Sequence, residues 1–352
     1  MKQINRAILL NQNEKAYGIL MSRGAYLSRR DMLAILKSMY YLALTYPDGY
    51  TPSESVMLYA YYVSRYDLDP AANSNEALRC ACRHGLYDIT QKLLADRRVD
   101  PSAYLNSAMV FACMNGHTKI VQLLLADRRA NPNDNQNEAM RFACQNGHTE
   151  IVQLLLAAGV DPDSKNSIAI RLAAEHGHTS IIRILLKDVR VDPCYNNLAF
   201  HWACTGKKMK HTDTVRVLLE DSRIDPSANN CCSFQFACKH GSIDTVRLLL
   251  SDDRIDPSVR NSEALRNTCE SGRTEIVRLL LEDGRSDPSA LNNNALNRAC
   301  SKLHVDIVRL LLADPRVING DLQTAINKAR PTWCYGSTEI IDLIKAAQKN
   351  AV

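Results

Sequence analysis

Residues 131–160 read NPNDNQNEAMRFACQNGHTEIVQLLLAAGV, and close variants of this stretch fill most of the chain. A proline returns in the same setting eight times, at gaps of 31, 31, 30, 31, 33, 31 and 31 residues. Self-similarity at a fixed period of roughly 20–50 residues is typical of stacked-repeat proteins, whose units contact only their neighbours. The pattern therefore predicts a stack of similar units and, for function, a long binding surface. The prolines are Pro70, Pro101, Pro132, Pro162, Pro193, Pro226, Pro257 and Pro288.

Within one unit, the sequence predicts two helices. Met140, Ala143 and Cys144 fall at i, i+3 and i+4, which indicates a short amphipathic helix of mostly small residues. We expect the Asn or Ser before E-A-L to cap this helix, and Gly147 to end it with a positive φ. Thr149 is then expected to cap a second, more apolar helix, whose buried face must lie between units, before Asp-Pro stops the chain in an extended turn. The apolar residues of that helix are Ile151, Val152, Leu154, Leu155 and Leu156.

The run A-C-x-x-G-H-T-E-I-V-x-L-L-L followed by D-P resembles the ankyrin repeat. It is particularly similar to the short D-P-S-x-N-N repeats of amoebae and of the large viruses that infect them. The resemblance covers residues 69–317 and implies eight ankyrin repeats that bind a partner protein along a concave groove. The eight repeats are 69–99, 100–130, 131–160, 161–191, 192–224, 225–255, 256–286 and 287–317.

The chain departs from the family in the segment that forms a projecting β-hairpin finger. The family's T-P-L-H is Glu76-Ala77-Leu78-Arg79 here, and nine residues separate Pro70 from Arg79. The usual repeat has about 12 in that interval, so the finger is about three residues short. We therefore predict an all-α ankyrin solenoid whose fingers are reduced to turns.

The two ends of the chain differ from the repeats. Ten of the 14 tyrosines lie in residues 1–68, where periodicity suggests helices near 2–10, 13–22, 29–45 and 53–65. We expect this region to be a helical cap on the first repeat, because terminal units of solenoids are atypical. The alternative is a separate effector segment that the repeats target. Residues 318–352 are expected to form a degenerate ninth repeat, or C-terminal cap.

The composition is that of a soluble globular protein of 352 residues, with 46% hydrophobic and 23% charged residues. No apolar run is long enough to span a membrane, and the first residues have no small-residue cleavage site of a signal peptide. The net charge of +5 is too mild to indicate nucleic-acid binding by itself.

Seven of the 12 cysteines occupy one equivalent slot, which Ala174 fills in the remaining repeat. A slot that Ala and Cys share indicates a small buried residue. Slots in neighbouring repeats lie about 10 Å apart, which is too far for a disulfide. We expect a reduced, intracellular protein, in the cytoplasm or alternatively the nucleus. The cysteines are Cys82, Cys113, Cys144, Cys204, Cys238, Cys269 and Cys300.

Five histidines share the slot after the helix-ending glycine or its equivalent, and the family resemblance implies that they form structural hydrogen bonds. A metal ion needs ligands about 2.1 Å away, whereas these histidines come from repeats about 10 Å apart. Cys231-Cys232 with Cys238 and His240 is the nearest approach to a ligand cluster, but its spacing matches no zinc pattern. The histidines are His117, His148, His178, His211 and His304.

Catalytic motifs are absent from the sequence. It has no G-x-S-x-G, no phosphate-binding glycine-rich loop and no H-E-x-x-H. We therefore expect no catalytic residue, no cofactor, no metal site and no small-molecule substrate.

Arginines recur at two positions of the repeat, and we call each set of equivalent arginines in successive repeats a file. In the first, an acidic residue stands three positions before four of the five arginines and is expected to neutralise them. In the second, the Asp two residues after most arginines is the expected partner. Surface ion pairs are favoured, and polyanion or nucleic-acid binding through these files and the basic insertion Lys207–Lys210 is the alternative function. The files are Arg183, Arg216, Arg247, Arg278 and Arg309 with Asp213, Asp244, Glu275 and Asp306, and Arg98, Arg129, Arg190, Arg223, Arg254, Arg285 and Arg316 with Asp100, Asp192, Asp225, Asp256 and Asp287.

The candidate binding residues are positions that vary between repeats while the repeat itself stays constant. Two residues follow each Ala-Cys slot, and we call them the groove positions, because the family resemblance places them at the inner-helix ends that line the groove. Tyr104 and Leu105 add an apolar spot in a shortened turn, whereas Trp202 and Phe142 are expected to lie mostly in the core. The groove positions are Arg83, His84, Met114, Asn115, Gln145, Asn146, Glu175, His176, Lys239, His240, Glu270, Ser271, Ser301 and Lys302, with Lys207 and Lys208 added from the insertion.

Overall fold

A computed structural model describes residues 71–162, 164–206, 210–329 and 335–350, and every regular element in these ranges is a helix. This confirms the all-α prediction. Contacts divide the chain after Ser164 into two units. The expected N-terminal cap over 1–68 and the insertion residues Lys207 and Lys208 lie outside the described residues.

The first unit contains three helical pairs, each an inner helix followed by an outer helix. The inner helices α1, α3 and α5 pack side by side, and the outer helices α2, α4 and α6 form a second layer. The bounds are α1 Ala72–Arg83, α2 Tyr87–Ala95, α3 Ala103–Met114, α4 Thr118–Asp127, α5 Asp134–Asn146 and α6 Thr149–Ala157.

The second unit repeats this arrangement and continues into the C-terminal segment. Its inner helices α9, α11, α13, α15 and α18 pack in succession, as do its outer helices α8, α10, α12, α14, α16 and α19. Residues 318–352, for which a degenerate ninth repeat or C-terminal cap is expected, contain α18 and α19. The bounds are α7 Ser164–Glu175, α8 Thr179–Lys187, α9 Leu198–Thr205, α10 Lys210–Leu219, α11 Ala228–His240, α12 Ile243–Leu250, α13 Val259–Glu270, α14 Thr274–Asp283, α15 Ala290–Ser301, α16 Val305–Leu312, α17 Pro315–Ile318, α18 Gln323–Ala329 and α19 Tyr335–Asn350.

Small residues on the inner helices and branched residues on the outer helices form the core. Cys144 and Ala174, which share the small-residue slot, are fully buried, as are Val152 and Leu155 of α6. Burying an aliphatic side chain of that size contributes about 1.5–3 kcal/mol, so each outer helix is stabilised mainly by its packing. Burial also raises the pKa of Cys82 to about 12, which keeps this thiol protonated and unreactive at neutral pH.

The helix ends confirm one sequence prediction and correct two. Gly147 ends α5 with a φ of 80°, as predicted. The helix α6 begins at Thr149 with His148 at the capping position, and no side chain caps it. The asparagine expected to cap an inner helix does not do so either: Asn197 precedes α9, but its amide donates to the carbonyl of Asp225 in the next repeat (2.8 Å). The side chain is used between repeats, so it is not available to its own helix.

A left-handed turn stands where the family finger is shortened. In four repeats, three consecutive residues other than glycine have φ between 53° and 59°. Each such residue costs about 1–2 kcal/mol relative to a right-handed conformation, so neighbouring contacts must hold the turn. The turns are Tyr104–Asn106, Asn229–Cys231, Arg260–Ser262 and Leu291–Asn293.

The third residue of the turn supplies the holding contact. In three of the four turns this residue is Asn or Ser, and its buried polar side chain bonds to the backbone around the next repeat's Asp-Pro turn or its equivalent. Asn75, which also has a positive φ, forms the same kind of bond in the first repeat. An unpaired buried polar group would cost about 1–3 kcal/mol, so these bonds couple the turn to its neighbour. The bonds are Asp100 N to Asn75 Oδ1 (3.0 Å), Asn131 N to Asn106 Oδ1 (3.2 Å), Asp287 N to Ser262 Oγ (2.8 Å) and Asn293 Nδ2 to the carbonyl of Val317 (3.0 Å).

Replacing Asn293 separates its two effects on stability, the hydrogen bond of its side chain and the left-handed conformation of its backbone. Asn293→Ala loses the bond to the next repeat and places a Cβ-bearing residue without a bonding side chain in the left-handed region, so we expect the free energy of unfolding to fall by roughly 2–4 kcal/mol. Asn293→Gly keeps the conformation but loses the bond, so its effect should be smaller. Urea unfolding followed by circular dichroism measures both. The exposed Asn319→Ala is the control, and equal losses in Asn293→Ala and the control would contradict the account.

Candidate partner-binding surface

The backbone at the groove positions is fixed by a side chain from the next repeat. In the first unit, Nε2 of His148 donates to the carbonyl of Met114 at 3.0 Å. Because a carbonyl only accepts, the ring carries its proton on Nε2. Arg273 takes the histidine's place in one repeat and donates to the carbonyls of Lys239 and Gly241. The structural role that the family resemblance implies for these histidines is thereby confirmed. The further bonds are His117 to Arg83 (3.0 Å), His211 to Glu175 (3.0 Å) and His304 to Glu270 (3.1 Å).

The glycine that ends an inner helix makes room for this imidazole. A Cβ on Gly116 would lie 2.7 Å from Cε1 of His148, and the φ of Gly116 is 78°. Both facts require glycine at this position. The Gly-His pair therefore acts between neighbouring repeats, with the glycine of one repeat against the histidine of the next.

Side chains at the groove positions of the first unit differ in their exposure and in the contacts that they make within the protein. The guanidinium of Arg83 lies 4.1 Å from the ring centroid of Phe111, a cation–π contact. Burial, together with the charges of Arg83 and His117, lowers the pKa of His84. Tyr104 is 68% exposed, with the guanidinium of Arg79 over its ring at 4.9 Å.

The remaining candidates of the first unit are partly turned back on their own helices. Asn115 donates to the carbonyl of Phe111 at 2.8 Å, and Asn146 donates to the carbonyl of Phe142 at 3.0 Å. Met114 and Gln145 are half-buried. Leu105 is 65% exposed, so the apolar spot in the turn is accessible, and its role in binding stays a prediction.

In the second unit, carboxylates at the groove positions are paired and lysines are not. Glu175 pairs with Arg171 at 3.3 Å, and Glu270 pairs with Arg298 at 2.5 Å. Lys239 and Lys302 are exposed and make no ion pair within the part of the chain that the structure describes. The other groove positions, His176, His240, Ser271 and Ser301, are exposed as well.

Two aromatic residues extend the surface beyond the predicted positions. Trp202 was expected to lie mostly in the core, but it is 37% exposed, so that expectation is wrong. Phe236 occupies the same place in the next repeat and is 41% exposed, whereas Phe142 is half-buried. The position before the Ala-Cys slot lies on a face of the inner helix that neighbouring repeats cover only in part. Sequence reasoning missed Phe236 and its neighbour His201, although the aromatic residues in this column were a usable signal.

For the second arginine file, the prediction that the arginines form ion pairs with aspartates is confirmed, but the aspartates named as partners are wrong. Each of these arginines pairs with the Asp two residues before it, because the turn folds back on itself. Arg254 Nη2 lies 2.7 Å from the carboxylate of Asp252, and the same guanidinium donates to the carbonyls of Leu219 and Ile224 in the preceding repeat. The Asp that follows the arginine accepts hydrogen bonds within its own turn instead. Asp256, for example, accepts from the backbone N–H and the hydroxyl of Ser258. We call each Asp-x-Arg pair an arginine clasp; they are Asp96–Arg98, Asp127–Arg129, Asp188–Arg190, Asp221–Arg223, Asp252–Arg254, Asp283–Arg285 and Asp314–Arg316.

The first arginine file is also largely neutralised. Arg278 pairs with Glu275 at 3.5 Å, as predicted, whereas Arg309 pairs with Glu339 of α19 and not with the predicted Asp306. These pairs are exposed and are worth about 0–1 kcal/mol each. They leave little unpaired positive charge for a polyanion. The further pairs are Arg216–Asp213 (4.0 Å), Arg183–Glu220 (3.6 Å) and Arg309–Glu339 (2.9 Å).

Other kinds of site find no support in the described ranges. No group of three His, Cys, Asp or Glu side chains there is placed to hold a metal ion. Of the helices described, none has the length and apolar character needed to cross a bilayer.

Comparisons with known proteins identify the repeat. The family model described as "Ankyrin repeats (3 copies)" matches residues 78–166, 140–230, 170–263 and 234–321. The human ASB11 ankyrin repeat domain is 16% identical over 76% of this chain and 96% of its own, with a TM-score of 0.30. The ankyrin repeat domain of Bcl-3 is 20% identical over 67% of this chain and 97% of its own, with a TM-score of 0.37. No curated protein matches the sequence.

Replacing one clasp arginine tests its role between repeats. Arg254→Lys keeps the charge but cannot hold a carboxylate in two places and two carbonyls at once. We expect the free energy of unfolding to fall by roughly 1–3 kcal/mol, measured by urea unfolding. Arg247→Lys, on the outer helix of the same repeat, should change it by less than about 0.5 kcal/mol. Equal effects of the two replacements would contradict the role assigned to the clasp.

The clasps also predict how stability depends on pH. Hydrogen bonds from the neighbouring arginine lower the pKa of Asp252, and they lower that of Asp96 to about 2. The same bonds lower the pKa of Asp127, Asp188, Asp221 and Asp314. Because the pKa in the folded state is below the unfolded value of about 3.9, this stabilisation is complete above about pH 4 and is lost as the pH falls toward the folded value. Asp252→Asn should therefore lower stability at pH 7 and weaken its decline between about pH 4 and 2. The exposed Asp253→Asn is the control, and unchanged pH dependence in Asp252→Asn would contradict this assignment.

Proposed function

Because this chain belongs to the ankyrin-repeat family, we propose that it is a non-catalytic interaction module that binds another protein through its groove positions. Ankyrin repeats are generally protein–protein interaction modules. The partner lies along the inner-helix ends, and the repeats act as a scaffold or adaptor for it.

One observation carries the proposal: the groove positions have a fixed backbone and variable, accessible side chains. The carbonyls of Arg83, Met114 and Glu175 are held by the next repeat's histidine, while their own side chains differ in size and charge. A rigid backbone with adjustable side chains lowers the entropy lost on binding. It is also how one scaffold serves different partners.

The cysteines support an intracellular location, which we propose as part of this function. The seven slot cysteines are buried without disulfides, and burial raises the pKa of Cys144 well above its usual value. A protein built in this way needs no oxidising compartment. The cytoplasm is the proposed compartment.

Neutralised arginines argue against the alternative of polyanion binding. Arg223 is typical: its guanidinium bonds to Asp221 and to the carbonyls of Val191 and Leu186. A phosphate backbone would have to break these bonds to reach the charge. Binding through counterion release, with its steep salt dependence, is therefore not the expected mode.

Charge reversal at the groove positions tests the proposed function. We expect the triple variant Arg83→Glu, Lys239→Glu, Lys302→Glu to weaken binding of a partner captured from the native cell by roughly tenfold or more, since like charges then oppose each other. Binding of the purified partner is measured by surface plasmon resonance.

A matched triple variant on the outer helices, Arg183→Glu, Arg216→Glu, Arg247→Glu, makes the same change in net charge away from the groove. It should bind as the unmodified protein does. If both triple variants weaken binding equally, or the groove variant binds normally, the groove assignment is wrong.

A further inference from the structure

Four side chains on two neighbouring inner helices of the second unit form one ring cluster. The imidazole of His201 meets the ring of Phe236 edge-on, with centroids 4.8 Å apart, and meets Trp202 edge-on at 6.0 Å. The ring of His240 lies 6.1 Å from that of Phe236. We call these residues, His201 and Trp202 of α9 with Phe236 and His240 of α11, the aromatic cluster.

The fold does not require aromatic residues at these places. Trp202 and Phe236 each stand directly before a small-residue pair, and the same column holds Asn267 and Arg298 in the next two repeats. Polar side chains there are compatible with the same helix and the same packing. Yet the two aromatic rings remain more than a third exposed, which has a cost in water and marks a contact surface.

Positive charge without a carboxylate partner lies beside the cluster. Lys239 is one turn from Phe236 on the same helix, is exposed and forms no ion pair within the described ranges. Arg273, which lies just before α14, is half-buried and donates to the backbone carbonyls of Lys239 and Gly241. The carboxylates at the nearby groove positions, Glu175 and Glu270, are already held by arginines. The surface around the rings therefore attracts negative charge.

From this combination we infer that the aromatic cluster and Lys239 bind an acidic segment of the partner protein, with a bulky apolar side chain of that segment against Trp202 and Phe236. The inference rests on the proposed function and names the chemistry of its partner. An aromatic anchor beside a lysine is suited to a short peptide in which Asp or Glu flanks Leu, Ile, Phe or Trp.

A single-stranded nucleic acid also carries negative charge, but it fits this surface less well. Such ligands stack their bases on free aromatic faces and follow a continuous positive groove. Here His201 and His240 already contact the ring of Phe236, and Arg171 and Arg298 are neutralised by Glu175 and Glu270, so they add no positive charge for a phosphate backbone. Burial lowers the pKa of His201, so its ring is neutral at pH 7 and can bond to a peptide backbone.

A displayed library of random 12-residue peptides, selected on the full-length protein, tests the inference. We expect selected peptides to be enriched in Asp and Glu together with large apolar residues. The cluster variant Trp202→Asn, Phe236→Asn should fold, since Asn267 occupies the equivalent position, and circular dichroism checks that it does. It should bind the selected peptides at least roughly tenfold more weakly, because it lacks the aromatic anchor. The exposed outer-helix variant Ile243→Ala is the control and should bind normally.

Tryptophan fluorescence locates the bound peptide directly. The chain has two tryptophans, Trp202 and Trp333, so Trp333→Phe leaves Trp202 as the single reporter. Emission should shift to the blue as a selected peptide covers the ring, and replacing the peptide's acidic residues by Lys should abolish the shift. Enrichment of basic peptides, of oligonucleotides over peptides in direct competition, or of nothing at all would overturn the inference.

The outcome can be separated from a failure of the proposed function. If charge reversal of Arg83, Lys239 and Lys302 releases the captured partner while the cluster variant holds it normally, the groove assignment stands and the acidic-segment inference is wrong. If neither variant affects the partner, the groove assignment fails as well.

Discussion

Backbone carbonyls of one repeat accept hydrogen bonds from side chains of the next, and the rest of the structure depends on these bonds between repeats. His148 donates a hydrogen bond to the carbonyl of Met114, and Arg254 donates to those of Leu219 and Ile224. Asn293 reaches in the opposite direction along the chain and donates to the carbonyls of Val317 and Asp321, where its repeat meets the following segment. A buried carbonyl without a donor is costly, so a repeat taken alone would be unstable even with its own helices intact. The stack is therefore held by hydrogen bonds between repeats as well as by apolar burial.

The same bonds between repeats determine which side chains are free to bind a partner. Histidine, arginine and the buried asparagine are occupied within the stack, and the clasp arginines are neutralised by their own turns. What stays accessible is the pair of groove positions and, in the second unit, the exposed aromatic column of Trp202 and Phe236. The side chains that can contact a partner lie at positions where the packing of the repeats does not require a particular residue. This is why a partner of defined chemistry can be inferred from so regular a fold.

Much of the fold could be predicted from the sequence, because its determinants are local. Proline spacing gives the period, and a slot shared by cysteine and Ala174 indicates close helix packing. The partner of Arg254 could not be predicted, since Asp252 and Asp256 are each two residues away and only the turn conformation selects between them. The left-handed turn at Arg260–Ser262 opposes the intrinsic preference of its residues and exists because the next repeat holds it. The exposure of Trp202 likewise depends on how far neighbouring repeats cover its helix.

Hydrogen exchange of backbone amides, measured by mass spectrometry, tests the dependence between repeats most directly. In His148→Ala, the account predicts faster exchange in the third repeat and also at the end of α3 in the second, where the carbonyl of Met114 loses its donor. In Asn146→Ala, whose side chain bonds within its own helix, any change should stay in the third repeat. Faster exchange confined to the third repeat in both variants would contradict the account.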